Sequence, residues 1–272
     1  MAIAFDDPPV TRQPGRHLDT LSRVVVPIAG VGIVVVLWWA AGFAIESTPR
    51  LAAFRGFTVE QTSAAFVKLL VSGDAWKSAA PSLSRVGQGL FWAFVIGAPA
   101  GLAIGSWQLL ERLLQFPFQI LRMISPLAWM PIAILLFATW NGAIVFLIAV
   151  ASIWPIIFST AAGVKRIDPV WLAMATNLGG DRIAVLRSIV LPAVARDILA
   201  GLRLALGVAW IVLVPAEYLG VTSGLGYAIN DARDTLSYDR LSAIVLLIGL
   251  IGFAVDAVIA AAIKRVHWTP TT

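Results

Sequence analysis

The sequence predicts an all-α integral membrane protein with six transmembrane helices and a helical insert between the fourth and the fifth. Hydrophobic residues make up 59% of the 272 residues and charged residues 13%, whereas soluble domains have roughly 45–50% and about 25%. Apolar stretches long enough to cross a bilayer, about 20 residues of helix, recur along the chain. One moderately polar segment, residues 168–190, interrupts them. These three observations define the fold class.

The six predicted membrane helices form one domain, residues 24–266, between a polar N-terminal tail (1–23) and a short C-terminal tail (267–272). Arg122, Arg196 and Asp197 leave the ends of the third and fifth helices less definite. No repeat or second domain is evident. The predicted helices cover residues 24–45, 83–107, 116–139, 143–164, 193–218 and 241–263.

The orientation of the helices is predicted from loop charge. With the N-terminus inside, the inner segments carry more Lys and Arg than the outer ones, as cytoplasmic loops do. Arg85 counts as an outer charge in this scheme. Six crossings return the chain to its starting side, so both termini are predicted to be cytoplasmic. The net charge of +5 is the ordinary basic excess of such loops.

Two segments outside the membrane helices have structure of their own. Residues 58–70, TVEQTSAAFVKLL, predict a short interfacial helix because their apolar residues fall mostly to one side. Residues 222–227, TSGLGY, predict a turn marked by Gly224 and Gly226. No strand precedes these glycines, so the pattern does not favour a dinucleotide-binding loop.

Several kinds of chemistry are excluded by inventory. Cysteine is absent, and the histidines, His17 and His267, lie in the tails, so we expect no catalytic residue, metal site or cofactor within the membrane domain. A basic face for nucleic acid is lacking. A P-loop needs glycine before its lysine, and no lysine of this sequence follows one: the preceding residues are Val67, Trp76, Val164 and Ile263. ATP and Mg²⁺, if used, belong to a separate subunit.

The second predicted helix carries Gly97, Gly101 and Gly105 at four-residue spacing. Small residues at this spacing let two helix backbones approach closely. The stripe predicts either packing within this subunit or a contact between subunits.

The fifth predicted helix carries Arg196, Arg203, Trp210 and Glu217 at intervals of seven, which places them on one stripe. A charge at the depth of Arg203 costs roughly 2.5–3.5 kcal/mol unless it faces water or a partner. Arg203, Trp210 and Glu217 therefore form either the polar wall of a substrate pathway or, for Arg203, a structural pair with Asp197 or Asp256.

Prolines interrupt the third and fourth predicted helices. Pro126 and Pro131 flank Trp129 in SPLAWMP, and Pro155 follows Trp154. Backbone carbonyls freed by proline are tolerated at membrane depth where they face protein or a water-filled cavity. Ser125, Trp129 and Trp154 are therefore candidate pathway residues, and a plain kink is the alternative.

The polar segment 168–190 predicts two short helices. Asp168 is a suitable cap for a helix that begins at Pro169, and Gly179-Gly180 separates it from a second helix with apolar residues on one side. Closed by Leu191-Pro192, this insert suits a groove on a soluble partner. A surface amphipathic loop is the alternative.

Residues 173–192, AMATNLGGDRIAVLRSIVLP, hold Gly179, Ile189, Leu191 and Pro192 at the spacing G-x9-I-x-L-P. This resembles the cytoplasmic loop of binding-protein-dependent ABC importer permeases, whose pattern is E-A-A-x3-G-x9-I-x-L-P. Ala173 stands in place of the Glu, and Met174 in place of an Ala. The stretches 198–220, 223–227 (SGLGY) and 248–256 (IGLIGFAVD) are also similar to the nitrate/sulfonate/taurine group of these permeases.

The resemblance implies a type I importer fold over about residues 80–266, in the bacterial inner membrane. It implies a second copy of this subunit, two ATPase subunits that hold ATP and Mg²⁺, and an extracytoplasmic substrate-binding protein. The solute would be a small oxyanion such as nitrate, a sulfonate or taurine, or a related organic compound. A gradient-driven secondary transporter and a membrane enzyme or scaffold are the alternatives. The ATPase-docking residues would be Ala173, Ala175, Gly179, Gly180, Asp181, Arg182, Leu186, Arg187, Ile189, Leu191 and Pro192.

Overall fold

The computed structural model describes residues 16–265, and their side chains from 25 to 263. Most of the predicted N-terminal tail, the C-terminal tail and both histidine side chains lie outside these described parts. Between residues 16 and 265 the chain is helical and has no strand. The α-helices are α1 Arg16–Ser47, α2 Val59–Val71, α3 Asp74–Ser106, α4 Gln108–Met123, α5 Met130–Leu136, α6 Trp140–Lys165, α7 Pro169–Asn177, α8 Arg182–Val185, α9 Leu191–Gly220, α10 Leu225–Asp234 and α11 Tyr238–Arg265.

Three short turns of other helical types complete the chain. Residues Pro49–Phe57 and Pro126–Trp129 are 3-10 helices. Residues Leu186–Val190 form a π-helical turn that joins α8 to α9 without a break. The short helix predicted at 58–70 is confirmed as α2, although α10 was not predicted.

The core is the packing of α3, α6 and α9 against one another. Ile144, Leu147, Ile148 and Leu213 are fully buried there. This three-helix core fixes the ends of α6 and α9 at which the candidate site lies.

The glycine stripe of α3 packs within the subunit. A Cβ atom at Gly101 would lie 2.6 Å from Cβ of Thr160, and one at Gly105 would lie 2.7 Å from Cβ of Val164. At Gly97 it would meet Ile153 at 3.2 Å. Because all three neighbours belong to α6, the stripe is the surface of α3 on which α6 packs. The prediction that the stripe packs within this subunit is confirmed.

The interruption that proline predicted in the third membrane helix, 116–139, is confirmed, and the break is larger than a kink. The chain forms α4, the 3-10 turn Pro126–Trp129 and α5, with a bend of 89° between the two halves. Proline disfavours the helical conformation for the residue before it, and Ser125 is extended, with φ −56° and ψ 131°. In the described range, five helices are long and apolar enough to cross a membrane, or six if this bent pair forms one span.

Chain connectivity defines two opposite sides of the molecule. α6 ends at Lys165 and α9 begins at Leu191, with α7 and α8 between them, and we call this end the α7 side. α9 ends at Gly220 and leads into α10, which marks the α10 side. α1 begins at Arg16, eight residues before the predicted boundary at 24, and α3 begins at Asp74 rather than 83.

Candidate functional site

The connection between α6 and α9, residues 168–190, is hereafter called the α7–α8 segment. Its first helix begins as the sequence predicts. Oδ1 of Asp168 accepts a hydrogen bond from N of Val170 at 2.9 Å, and Pro169 occupies the first helical position. This arrangement satisfies a backbone donor that helix starts leave unpaired.

The end of α7 is a tight, fully hydrogen-bonded turn. N of Gly179 donates to O of Thr176 at 3.1 Å, and N of Gly180 donates to O of Ala175 at 2.9 Å, the two bonds of a Schellman motif. Gly179 has φ +81°, which side chains disfavour. Asp181 follows at once and caps α8, accepting from N of Ala184 at 2.7 Å. The predicted break at Gly179-Gly180 is confirmed.

The α7–α8 segment presents an apolar surface. Leu178 is 86% exposed, and the other large apolar side chains exposed there are Val170, Trp171, Met174, Ile183 and Leu186. A groove of about 660 Å³ separates the segment from the end of α3. Exposed apolar clusters on soluble surfaces are typical of docking sites.

The docking residues expected from the sequence differ in how far they are accessible. Ala173, Gly179, Asp181, Arg182, Leu186, Arg187 and Leu191 are exposed, and Ala175, Gly180, Ile189 and Pro192 are half-buried. The segment ends at Leu191-Pro192, as the sequence predicted. Both residues lie in the first turn of α9.

Ion pairs fasten the base of the α7–α8 segment to the helices around it. Lys165, at the end of α6, binds Glu111 of α4. Arg166, in the link to α7, binds Asp197 of α9. A Cβ at Gly163 would lie 2.6 Å from Oδ2 of Asp197, so a glycine is needed there for α9 to approach. The base of the segment is therefore linked by ion pairs to α4 and α9.

Arg203 binds Asp256, one of the two partners that its depth suggested. Nε of Arg203 donates to Oδ1 of Asp256 at 2.7 Å, and Nη2 donates to Oδ2 at 2.6 Å. The fork joins α9 to α11. Asp197, the other expected partner, binds Arg166 instead. Both Arg203 and Asp256 are nearly half exposed on the surface of the single subunit.

The expectation that Glu217 lines a pathway is wrong in this structure. Its side chain is fully buried, and Arg85, which the charge count placed outside, is 4% exposed. Nη1 of Arg85 donates to Oε1 of Glu217 at 2.5 Å, and Oγ of Ser82 donates to Oε2 at 2.8 Å. The reason is pairing: opposite charges on α3 and α9 neutralise each other, which makes burial possible.

The glycine turn predicted at 222–227 wraps this carboxylate. N of Gly226 donates to Oε2 of Glu217 at 3.0 Å, and Arg85 donates to both O and Oγ of Ser223 at 2.9 Å. Gly224 has φ +113°, and a Cβ there would lie 2.4 Å from Oε2 of Glu217. This cluster was not predicted from the sequence. The signal for it was one basic residue, Arg85, and one acidic residue, Glu217, in two otherwise apolar helices.

The remaining pathway candidates do not converge on one site. Trp154 lines an apolar cavity of about 720 Å³ between α3, α4 and α6 and packs edge-on against Phe118, with centroids 5.3 Å apart. Trp210 packs against Gly252 of α11. Ser125 is exposed at the break after α4, and Trp129 is half-buried. In the described residues, no group of three acidic or histidine side chains could hold a metal ion.

Long apolar helices, a broken helix and a capped segment protruding from the ends of two core helices define a multi-pass membrane transport protein. The sequence model of the family described as "Binding-protein-dependent transport system inner membrane component" matches residues 93–268. The chain belongs to this family and is a permease component of the inner membrane. A gradient-driven transporter, the alternative left open by the sequence, is therefore not supported.

Relatives agree with this assignment over most of the chain. The bicarbonate transport system permease protein CmpB of Synechococcus elongatus is 32% identical over 88% of this chain and 88% of its own length. The taurine transport system permease protein TauC of Escherichia coli is 30% identical over 90% of both. The nitrate import permease protein NrtB of Leptolyngbya laminosa is 35% identical over 71% of this chain and 69% of its own length.

The fold also has a solved counterpart. A chain of the MetNI methionine ABC transporter, in an inward-facing conformation, superposes with a TM-score of 0.58 at 16% identity. The match covers 74% of this chain and 97% of that chain. At this identity the likeness establishes the fold alone.

Proposed function

We propose that this chain is the pathway-forming subunit of an ATP-driven importer whose ATPase subunits dock on the α7–α8 segment. The observation that carries the proposal is the exposed apolar surface of that segment, held by two side-chain caps and a Schellman turn. A rigid, apolar knob that protrudes from a membrane domain suits a groove on a soluble protein, since its burial there is favourable.

Energy must come from another polypeptide. The sequence lacks the glycine-lysine pair of a P-loop, so ATP and Mg²⁺ belong to the docked subunits in this proposal. Because the base of the segment is tied to α6 and α9 through Arg166 and Asp197, movement of a docked ATPase would pass to the core helices.

The solute is proposed to be a small oxyanion or a related compound, delivered by an extracytoplasmic binding protein. The bicarbonate, taurine and nitrate for which the relatives are named are of this class. Two copies of the chain would form the pathway between them, with both termini cytoplasmic. The half-exposed pair Arg203–Asp256 supports this arrangement, because a charged surface at membrane depth needs protein or water against it.

Substitution within the apolar surface tests the docking role. In the variant Leu178→Asp, we expect the ATPase subunit no longer to co-purify with this chain, because a charge would be buried without a partner in the contact. The matched control is Val71→Asp, since Val71 is 83% exposed at the end of α2. Co-purification that survives Leu178→Asp and Met174→Asp together would refute docking on this segment.

A further inference from the structure

A polar stripe on α4 is not explained by the contacts of the fold. Helix α4, QLLERLLQFPFQILRM, is strongly amphipathic. At 3.6 residues per turn, Gln108, Gln115, Gln119 and Arg122 fall within a sector of about 60°, and all four are exposed. These four residues are called the α4 stripe. They continue along the whole helix, up to the break at Ser125.

The neighbouring faces of α4 have other surroundings. Leu110, Leu114 and Phe118 pack against the small apolar cluster around Ile104 and Ile157. On the far side of the helix, Phe116, Ile120 and Met123 are exposed and apolar, as a surface against lipid is. The α4 stripe separates a protein-facing side from an apolar side, so it requires an aqueous or polar environment of its own.

Contacts with α6 place Arg122 at membrane depth. Glu111 binds Lys165 at the end of α6, whereas the Arg122 guanidinium lies over the ring of Phe158, 5.2 Å from its centroid. Phe158 is seven residues from Lys165, or about 10 Å along the helix. When α6 is centred on a hydrocarbon core of about 30 Å, its 26 residues exceed the core by only about 5 Å at each end. With this placement, Phe158 lies within the core.

Arg122 is the arginine at this depth whose charge is not paired. Arg85 and Arg203 bind Glu217 and Asp256. Arg196 has no ion pair with a described residue either, but it lies nearer the end of the membrane helices, since its neighbour Asp197 packs at Gly163. Among the side chains that the structure describes, no carboxylate lies within salt-bridge distance of Arg122. The ring of Phe158 holds the face of the guanidinium, as cation–π contacts do, and leaves its edge free. That edge matches an oxyanion bidentately.

We infer that the α4 stripe is a wall of the solute pathway, and that Arg122 is the contact in it for a negatively charged solute. The inference rests on the proposed function. The charge selectivity of the pathway then depends on one guanidinium, which has no acidic partner in the described structure. Gln115 and Gln119 lie on the side of α4 that faces the water in the pathway.

Cysteine labelling tests the inference without knowledge of the solute, because the sequence contains no cysteine. The chain is assembled with its ATPase and binding protein in liposomes and treated with water-soluble methanethiosulfonates. Since the thiolate is the reacting form, Gln115→Cys and Gln119→Cys should react at least about tenfold faster than the controls Phe116→Cys and Ile120→Cys. Equal rates, expected if Arg122 reaches a lipid phosphate instead, would overturn the inference.

The charge of the reagent tests Arg122 itself. Sulfonatoethyl methanethiosulfonate is an anion, and the trimethylammonioethyl reagent is a cation. For Gln119→Cys, the ratio of their rates should fall roughly fivefold or more when Arg122→Gln is added, because residues three apart on a helix are neighbours. Arg112→Gln, about 10 Å from Gln119 along the helix, should change it less than about twofold. No change with Arg122→Gln would refute the role of Arg122.

The same preparations separate this inference from the proposed function. Co-purification of the ATPase is scored before labelling. A chain that retains its ATPase but shows no charge bias refutes the Arg122 contact alone. A chain that shows the bias but binds no ATPase refutes the proposed import function, and with it the assignment of the stripe to an import pathway.

Discussion

Nη1 of Arg85 and Oε1 of Glu217 lie 2.5 Å apart in the interior between α3 and α9. Oγ of Ser82 donates to the same carboxylate, and Nε of Arg85 donates to Oδ1 of Asn141 at 2.8 Å. The pair therefore joins α3, α6 and α9 on the α10 side, where the glycine turn closes over it. It is the polar counterpart of the apolar core.

Loss of either charge should destabilise the protein strongly. In Glu217→Ala or Arg85→Ala, the remaining charge stays buried without its partner, which costs about 3–5 kcal/mol in free energy of unfolding. We expect both variants to lose thermal stability in detergent and to accumulate poorly in membranes.

The apolar double variant Arg85→Met/Glu217→Leu is the matched control for that prediction. It removes both charges, so no unpaired charge remains buried, and it should be more stable than either single variant. If the loss of melting temperature in the double variant equals the sum of the losses in the two single variants, the two residues do not act as a pair.

Gly226 should not tolerate alanine. A Cβ there would lie 2.3 Å from O of Val214 and 2.7 Å from Cβ of Glu217, so the turn must move away from the carboxylate. Forced repacking of this kind costs roughly 1–3 kcal/mol. Membrane abundance and melting temperature of Gly226→Ala measure the effect. Gly249→Ala is the control, because nothing lies within 4 Å of that Cβ, and a loss as large there would contradict the steric reason.

Gly179 should be required for transport rather than for insertion. Its Cβ would meet no atom within 4 Å, so the cost of substitution comes from φ +81° alone. We expect Gly179→Val to displace the end of α7 and to uncouple ATP hydrolysis from uptake, with normal membrane abundance. Asparagine tolerates this conformation, so Gly179→Asn should retain most activity. Normal uptake by Gly179→Val would count against a docking role.

The Arg203–Asp256 pair can be tested by exchange of its charges. Arg203→Ala and Asp256→Ala each leave one charge without its partner at membrane depth, and both should reduce abundance. Arg203→Asp combined with Asp256→Arg restores the pair, so abundance should recover. Uptake per molecule should recover with it, because Arg122 and not Arg203 is the proposed contact for the solute. Full recovery of uptake would identify the pair as structural only.

Most of the fold follows from local patterns. The core helices were predicted because apolar runs of membrane length specify helix, and the turn at Gly179 because its capping residues are adjacent in sequence. The prolines of the third membrane helix predicted an interruption, but not that the chain would turn by 89° there.

The pairing of charges could not be predicted in the same way. Arg85 and Glu217 are 132 residues apart, and only the packing of α3 on α9 brings them together. Loop-charge counting placed Arg85 outside because it treats every charge near a helix end as solvated. The partner of Arg203 was also beyond prediction. Depth in the membrane made both Asp197 and Asp256 possible partners and could not decide between them.

The π-helical turn at Leu186–Val190 makes α8 and α9 one helical rod, Arg182–Gly220, of 39 residues, or about 58 Å. It contains no loop that could absorb a movement of one end. A tilt imposed at Arg182 must therefore reappear at Glu217, where the rod is pinned to α3 by a salt bridge. The salt bridge is then the pivot of the rod, so the displacement is largest at the end that carries Arg182.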